Sequence, residues 1–465
     1  MTYTVTPTHG TPPASDVRAG RRSAAEYTQA FADAAPRLTR TQALAEAERC
    51  LYCFDAPCIT ACPTGIDVPS FIKRISDDNL RGAARAILDA NPLGGTCARA
   101  CPTEVLCEQA CVRHHQGGPQ QGKPVEIGRL QRYAVDAVMD RPVTALFTRA
   151  APTGRRVAVV GAGPAGIACA FMLARRGHDV VVHDARPAAG GLNEYGLAAY
   201  KMAGDFAQAE LNWLLQIGGI TLQLGWRLET AAQLQALRDG FDAVYLAVGL
   251  GRTNPLGVPG DGLPGVRDAV DFIAELRQAD DKAALPMGRR VVVIGGGMTA
   301  VDAAVQSRLL GAEQVDLVYR RGPDAMGATP AERAWAQTNG VTLHFGLAPL
   351  EIVAGADGHV AAVRFARSAA QEGGPATFAA DLVFKAIGQK LDATLFDGSG
   401  LTLQGGRVLA DDDGRTGLPR FYAGGDCRAG GRDLTVVAVE DGKRAAAAIH
   451  AELTSEQTTD PKSGA

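Results

Sequence analysis

The chain has 465 residues, enough for two or three domains with separate cores. At 46% apolar and 21% charged residues, with a net charge of −3, it reads as a globular protein. That charge gives no case for nucleic acid or an anionic membrane as the main partner. No apolar run reaches the roughly 18 residues that span a bilayer, and no charged-then-apolar export signal opens the chain, so the cytoplasm is the expected compartment.

Residues 1–20, rich in Thr and Pro, are expected to form a mobile tail. Residues 21–49 read as helix, with Thr39 and Gln42 as a capping box. The stretch to about residue 140 alternates short helical pieces with Cys-Pro and Gly turns. A helix over 124–140 closes it, with Ile127, Leu130, Val135 and Val138 as its apolar stripe. Pro142 to Gly154 is expected to be a linker. The composition then turns to Gly, Ala and Val, and two strand–turn–helix starts appear, at Arg155–Val160 and Arg289–Ile294. The expected class is α/β: a helical iron–sulfur domain (21–150), then two nested doubly wound nucleotide-binding domains. The first is discontinuous (151–285 and 385–455) and the second is inserted (286–384), with a tail at 456–465. Ala247-Val248-Gly249 and Ala386-Ile387-Gly388 are the expected crossings.

Eight of the ten cysteines lie between Cys50 and Cys111. In a reducing compartment such a cluster argues for metal and against disulfides. Cys50, Cys53, Cys58 and Cys62 are spaced C-x2-C-x4-C-x3-C and precede Pro63; Cys97, Cys101, Cys107 and Cys111 follow with gaps of three, five and three. Thiolates are the ligands of iron–sulfur clusters, and two groups of four fit two [4Fe–4S] clusters. Structural zinc calls for paired C-x2-C units, and only one occurs. Cys169 and Cys427 read as buried small residues, and His114 and His115 as solvated residues of a polar loop.

Gly161-Ala-Gly163-Pro164-Ala165-Gly166 follows the first strand as a G-x-G-x-x-G fingerprint. Its glycines serve the turn, the approach of a pyrophosphate and helix–strand packing, and the helix N-terminus faces the phosphates. Asp184 ends the next strand, where a carboxylate accepts from ribose hydroxyls. This is the expected FAD site. Gly295-Gly-Gly297-Met-Thr299-Ala300 is the second fingerprint, the expected NAD(P)H site. Its next strand ends in Arg320-Arg321 where an acid is usual, and arginine there favours a 2′-phosphate. Gly425-Asp426 would meet the flavin ribityl chain or pyrophosphate, and the helix after Thr435 would aim its N-terminus at the flavin edge that gathers negative charge on reduction. No cysteine lies between Ala188 and Gly225, which excludes a redox dithiol there.

From about Cys50 to Ala448 the chain resembles the electron-input (PreT-type) subunit family of bacterial NAD-dependent dihydropyrimidine dehydrogenase. It is equally similar to the N-terminal half of the animal enzyme, and more distantly to glutamate synthase small subunits. The resemblance rests on Asn91-Pro-Leu-Gly-Gly-Thr-Cys97 through Cys111 and on Pro124-Val-Glu-Ile-Gly-Arg-Leu-Gln131. Glutamate synthase relatives have a shorter gap than Cys101-x5-Cys107 and tend to have Glu at the position of Gln131. The resemblance implies one cluster on Cys50, Cys53, Cys58 and Cys111, and another on Cys62, Cys101, Cys107 and Gln131, with Cys97 spare. A plain count of eight thiols would instead use Cys97. It also implies a flavin turn at Gly190-Gly191-Leu192. Electrons would pass from NAD(P)H to FAD, then to the clusters, then to a separate FMN- and iron–sulfur-containing subunit that reduces uracil or thymine. No side chain need act as acid or base in the hydride step. NADH fits the family and NADPH fits Arg320-Arg321. The readings weighed against this one are a glutamate synthase small subunit and a scaffold with vestigial sites.

Overall fold

The computed structural model describes residues 20–116, 122–368 and 374–458. The expected N-terminal tail, apart from Gly20, lies outside them. The last helix runs to Thr458, so the expected C-terminal tail starts no earlier than 459, also outside them. Among the described residues no helix is long and apolar enough to cross a membrane. The chain forms two compact units.

One unit holds residues 33–194, 201–252 and 390–458. Its N-terminal part is built of short, capped helices. Val68–Ser76 starts where Asp67 accepts from Ser70 N, and Leu80–Ala90 where Asn79 accepts from Gly82 N. Their buried residues, Val68, Phe71, Ile72 and Ile75, then Ala83, Ala84, Ile87 and Leu88, recur at helical spacing and make one apolar face each. The helix Ile127–Asp136 packs with them through the expected stripe, buried throughout.

The rest of this unit is a parallel five-stranded sheet, in the order Phe421–Ala423, Ala243–Leu246, Arg156–Val160, Asp179–Asp184, Ile220–Leu224. Val157–Val160 is buried on both faces, as a covered parallel strand requires. The helices Pro164–Arg175 and Thr435–Thr458 pack against each other. At Gly442 any Cβ would strike the Ala165 carbonyl, so only glycine allows that approach. Residues 142–154 are not a free linker. Val143, Leu146 and Phe147 are buried, Phe147 meets Phe171 edge-on at 6.0 Å, and Arg175 lies 4.3 Å over its ring.

The other unit holds residues 20–32, 195–200 and 253–389. Its parallel sheet runs Val266–Asp268, Leu382–Ala386, Arg290–Gly295, Gln314–Tyr319, Thr342–Phe345, beside an antiparallel sheet of Leu347–Ala354, Val360–Arg367 and Ala376–Ala379. Its longest segment begins at Thr253, where 286 was expected. Val266–Asp268 hydrogen-bonds to Leu382–Ala386, and helix Ala269–Gln278 buries Phe272 against Phe384 at 4.3 Å.

Residues 21–49 form two helices, not one: Ala24–Ala30 and Arg40–Ala47. Both Ser23/Glu26 and Thr39/Gln42 make full capping boxes, and Pro36 lies in the break. The first helix does not join the iron–sulfur helices. Tyr27 and Phe31 are buried in the second unit, where Tyr27 Oη donates to Leu310 O at 3.2 Å.

Candidate functional site

Cys50, Cys53, Cys58 and Cys111 line one partly open pocket with a cavity of about 30 Å³. Its walls are apolar, among them Ala56, Val68, Ile72, Val125 and Ile127. Cys58 sits in the turn of helix Pro57–Thr60, and Cys111 precedes the 3₁₀ turn Val112–His115. Burial, reinforced by the Cys111 and Cys50 thiols, pushes Cys58 up to about 12. Four thiols around an apolar pocket, with Arg113 at its wall and acting on Cys50, fit an iron–sulfur cluster, whose binding displaces their protons. Among the described residues no three His, Cys, Asp or Glu side chains close on one point as ligands of a single ion do. Leu51, Tyr52 and Phe54 form the exposed lip of this segment, Phe54 completely so.

Cys62, Cys97, Cys101 and Cys107 make a second group. Cys101 is held well above the usual thiol range by burial, with Cys97, Cys107 and Cys62 adding to it. Cys107 is raised in the same way, with Cys62 among its neighbours. Gln131 is buried, and its Nε2 donates to Gly94 O at 2.7 Å. A carbonyl can only accept, so Nε2 and not Oε1 faces Gly94. Cys97 lies one turn on from Gly94, on the helix Gly94–Ala100. Asn91 Oδ1 accepts from Leu93 N at 3.0 Å, while its Nδ2 is buried without a hydrogen-bond partner.

His114 and His115 lie on a 3₁₀ turn, not in a loop. His115 is exposed as expected, but His114 is half-buried, with Nδ1 covered and unpartnered. Cys169 and Cys427 are both fully buried and unpaired.

The first fingerprint turns at Gly161 (φ +109), where a Cβ would strike the Ala247 carbonyl. Pro164 occupies the first helical turn and Ala165 is buried. Gly163 has no neighbour closer to a would-be Cβ than Gly191 Cα at 3.8 Å. That leaves open backbone at a 12-residue helix N-terminus, the cradle a pyrophosphate needs. Asp184 accepts from Ala162 N at 2.7 Å and from Arg186 N at 2.8 Å, and so braces the turn. Gly190 N donates to Ala162 O at 2.8 Å, which brings Gly191 beside Gly163 and leaves Leu192 exposed. Gly425 N donates to Asp441 Oδ2 at 2.9 Å. Burial, with Asp433 and Asp441 near, pushes Asp426 up to about 6 against the pull of Arg407. Thr435 opens the 24-residue helix and its Oγ1 donates to Asn193 Oδ1 at 3.3 Å.

In the other unit, a Cβ on Gly295 would strike the Ala386 carbonyl and one on Gly296 the Tyr319 ring. Gly297 faces open space and caps helix Met298–Leu309; Thr299 is half-buried on its first turn. Arg320 and Arg321 are exposed just beyond Gln314–Tyr319, with Arg321 5.5 Å over the Tyr319 ring. Both fingerprints therefore fit a dinucleotide.

Among the buried acids that were not foreseen, two stand out. Asp302 accepts from Tyr200 Oη at 2.8 Å. Glu210, 1% exposed on helix Phe206–Leu215, accepts from Gly95 N at 2.7 Å, from Thr96 N at 3.1 Å and from Thr96 Oγ1. The available signal was faint: Glu210 lies four residues after Phe206 and one before Leu211, on that helix's apolar stripe.

Residues 155–442 match the family model described as pyridine nucleotide-disulphide oxidoreductase. Residues 27–143 match the one described as dihydropyrimidine dehydrogenase domain II, 4Fe-4S cluster. The NAD-dependent dihydropyrimidine dehydrogenase subunit PreT of Escherichia coli O157:H7 is 34% identical over 421 residues, covering 89% of this chain and 95% of that protein. The glutamate synthase [NADPH] small chain of Escherichia coli K12 is 32% identical over 436 residues, covering 88% and 91%. Among solved structures, Mycobacterium tuberculosis FprA in complex with NADPH superposes with a TM-score of 0.53 at 20% identity, covering 65% of this chain and 85% of that one, a likeness of fold alone.

Proposed function

The chain belongs to the pyridine nucleotide-disulphide oxidoreductases that carry an N-terminal 4Fe-4S dihydropyrimidine dehydrogenase domain, the family of the PreT subunits, and from that membership we propose that it feeds electrons to a pyrimidine-reducing partner. It is an NAD(P)H-dependent oxidoreductase with FAD and 4Fe-4S clusters. The observation that carries the finer reading is the pairing of Cys101-x5-Cys107 with a buried Gln131.

In this reading Gly295, Gly297 and Thr299 receive the nicotinamide dinucleotide's pyrophosphate, and Arg320 and Arg321 lie where its adenosine ribose ends. Gly161, Gly163, Pro164, Ala165 and Gly166 seat FAD at the helix N-terminus, with Asp184, Gly190, Gly191, Leu192, Gly425, Asp426 and Thr435 around it. Bound FAD accepts two electrons as hydride and releases them singly, as clusters require. Cys50, Cys53, Cys58 and Cys111 hold one cluster; Cys62, Cys101, Cys107 and Gln131 hold the other. A neutral amide in place of a thiolate makes the second site less negative and shifts its potential. The acceptor is a separate FMN- and iron–sulfur-bearing subunit that reduces uracil or thymine to the 5,6-dihydro product. The match to a glutamate synthase small chain supplies a second reading, with the same input chemistry and an amidotransferase partner.

The test is to purify the chain anaerobically and follow NADH and NADPH oxidation with uracil, thymine, or glutamine plus 2-oxoglutarate, each with the matching FMN-bearing companion. Turnover with a pyrimidine alone supports the first reading. Turnover with glutamine and 2-oxoglutarate overturns it.

A further inference from the structure

Helix Phe206–Leu215 touches two functional elements of its unit at once. On one side Gln208 Nε2 donates to Ala189 O at 2.7 Å and to Glu194 Oε2 at 2.9 Å, gripping the Gly190-Gly191 turn of the flavin cradle. On another side Glu210 caps helix Gly94–Ala100, which leads into Cys101. Phe206 reinforces that grip. Its ring lies 3.3 Å from the Arg99 guanidinium carbon, and Arg99 in turn pairs with Asp136 at 2.9 Å on the Gln131 helix. A Cβ on Gly95 would stand 2.5 Å from Phe206 Cζ and 2.7 Å from Glu210 Oε1, so no side chain fits between the two helices.

We propose that Glu210 is a positioning residue for the flavin-to-cluster step. Through its backbone and hydroxyl bonds at Gly95 and Thr96 it fixes the distance between the flavin turn and the helix that presents Cys101 and supports Gln131. This rests on the reading of FAD and two clusters given above. Buried to 1% exposure, its carboxyl satisfies the Gly95 and Thr96 amides at the start of that helix, which an apolar residue could not do. Its bonds tie helix Gly94–Ala100 to helix Phe206–Leu215, 115 residues on from Gly95 at Glu210, and Gln208 of that same helix holds the flavin turn.

The experiment uses the cofactor-loaded full chain, as wild type, Glu210→Gln and Glu210→Ala. Each is mixed anaerobically with NAD(P)H in stopped flow, resolving flavin bleaching from the later cluster reduction; cluster reduction is confirmed by electron paramagnetic resonance. Iron and flavin contents and hydrogen exchange at the Gly95 and Thr96 amides are measured on the same samples. The expected result is unchanged flavin bleaching and cluster reduction slowed several-fold in Glu210→Ala, because electron transfer between carriers weakens steeply as their separation grows. Gln keeps an acceptor oxygen, so it should restore most of the rate and of the amide protection. Equal rates in all three at full cofactor content overturn the proposal. So does a loss in Glu210→Ala that slows both phases alike. Absence of cluster reduction in the wild type would refute the underlying flavo-iron–sulfur reading instead, so the two failures are distinguishable.

Discussion

The second and third glycines of the flavin fingerprint should fail in different ways when a methyl group is added. At Gly166 a Cβ would lie 1.8 Å from the Gly161 carbonyl oxygen and 3.1 Å from Val159 Cγ1, whereas real contacts do not fall below 3.0 Å. The helix Pro164–Arg175 must therefore back away from its strand by more than an ångström. Overpacking of that kind costs about 1–3 kcal/mol. It also pulls the backbone donors at the helix start off the pyrophosphate. Each charge-assisted bond lost weakens binding by about 1.5–3 kcal/mol, which is roughly 10- to 150-fold in Kd. At Gly163 the nearest atom is 3.8 Å away, so Gly163→Ala should fold as the wild type to within about 1 kcal/mol. Its methyl group enters only the space meant for the ligand. The assay is FAD titration of apoprotein by fluorescence, paired with urea unfolding of the same apoproteins. Gly166→Ala should lose stability and affinity, and Gly163→Ala affinity alone. Wild-type FAD affinity in Gly163→Ala, or wild-type apoprotein stability in Gly166→Ala, would refute this reasoning.

The same logic puts Gly297→Ala in open space: flavin content and stability should hold while KM for the nicotinamide rises at least about tenfold. Replacing both Arg320 and Arg321 by Ala should raise KM for NADPH and leave that for NADH within about twofold; equal effects on both would remove them from 2′-phosphate recognition. Asp426 has its folded pKa raised to about 6, so its contribution favours the fold at low pH and is lost as pH rises from about 4 through 6. Asp426→Asn should therefore stabilise the apoprotein at pH 8, by at most about 3 kcal/mol, and have little effect at pH 3.5; urea melts at the two pH values decide it. Cys111→Ser should lower iron content and abolish one cluster signal while leaving the other, since Cys111 faces Cys50, Cys53 and Cys58 in one pocket; loss of both signals together would contradict the assignment.

What could be read from the sequence was whatever is encoded locally. A strand, a glycine turn and a helix follow one another within about twenty residues at Gly161 and Gly295, so both fingerprints were legible. The same holds for the Thr39 capping box and the stripe on Ile127–Asp136. Convergence across long separations was not. Cys111 joins Cys50 over about sixty residues, and only family resemblance anticipated that grouping. Glu210 reaches Gly95 across 115 residues, and no local pattern marks its partner. The boundary at Thr253 was missed because a three-residue strand, Val266–Asp268, has almost no periodicity of its own and is defined by pairing with Leu382–Ala386. The packing of residues 142–154 was missed because Val143, Leu146 and Phe147, though at i, i+3 and i+4 and all buried, make only the short 3₁₀ turn Val143–Ala145, too little chain to show a period.

The chain passes between its two units five times, after residues 32, 194, 200, 252 and 389. Neither unit is therefore a stretch that can be cut out and expressed. A fragment ending at residue 150 would carry Tyr27 and Phe31 without the surface that covers them. One beginning at residue 33 would strip the nucleotide unit of both rings. During synthesis neither unit can finish until later segments emerge, since the flavin-site sheet waits for Phe421–Ala423 and its covering helix. Such interlaced connectivity raises contact order and slows folding. It also means that a proteolytic nick at any of the five passages severs a strand of one unit's history from the rest, so that loss of either nucleotide site should report damage to the whole chain.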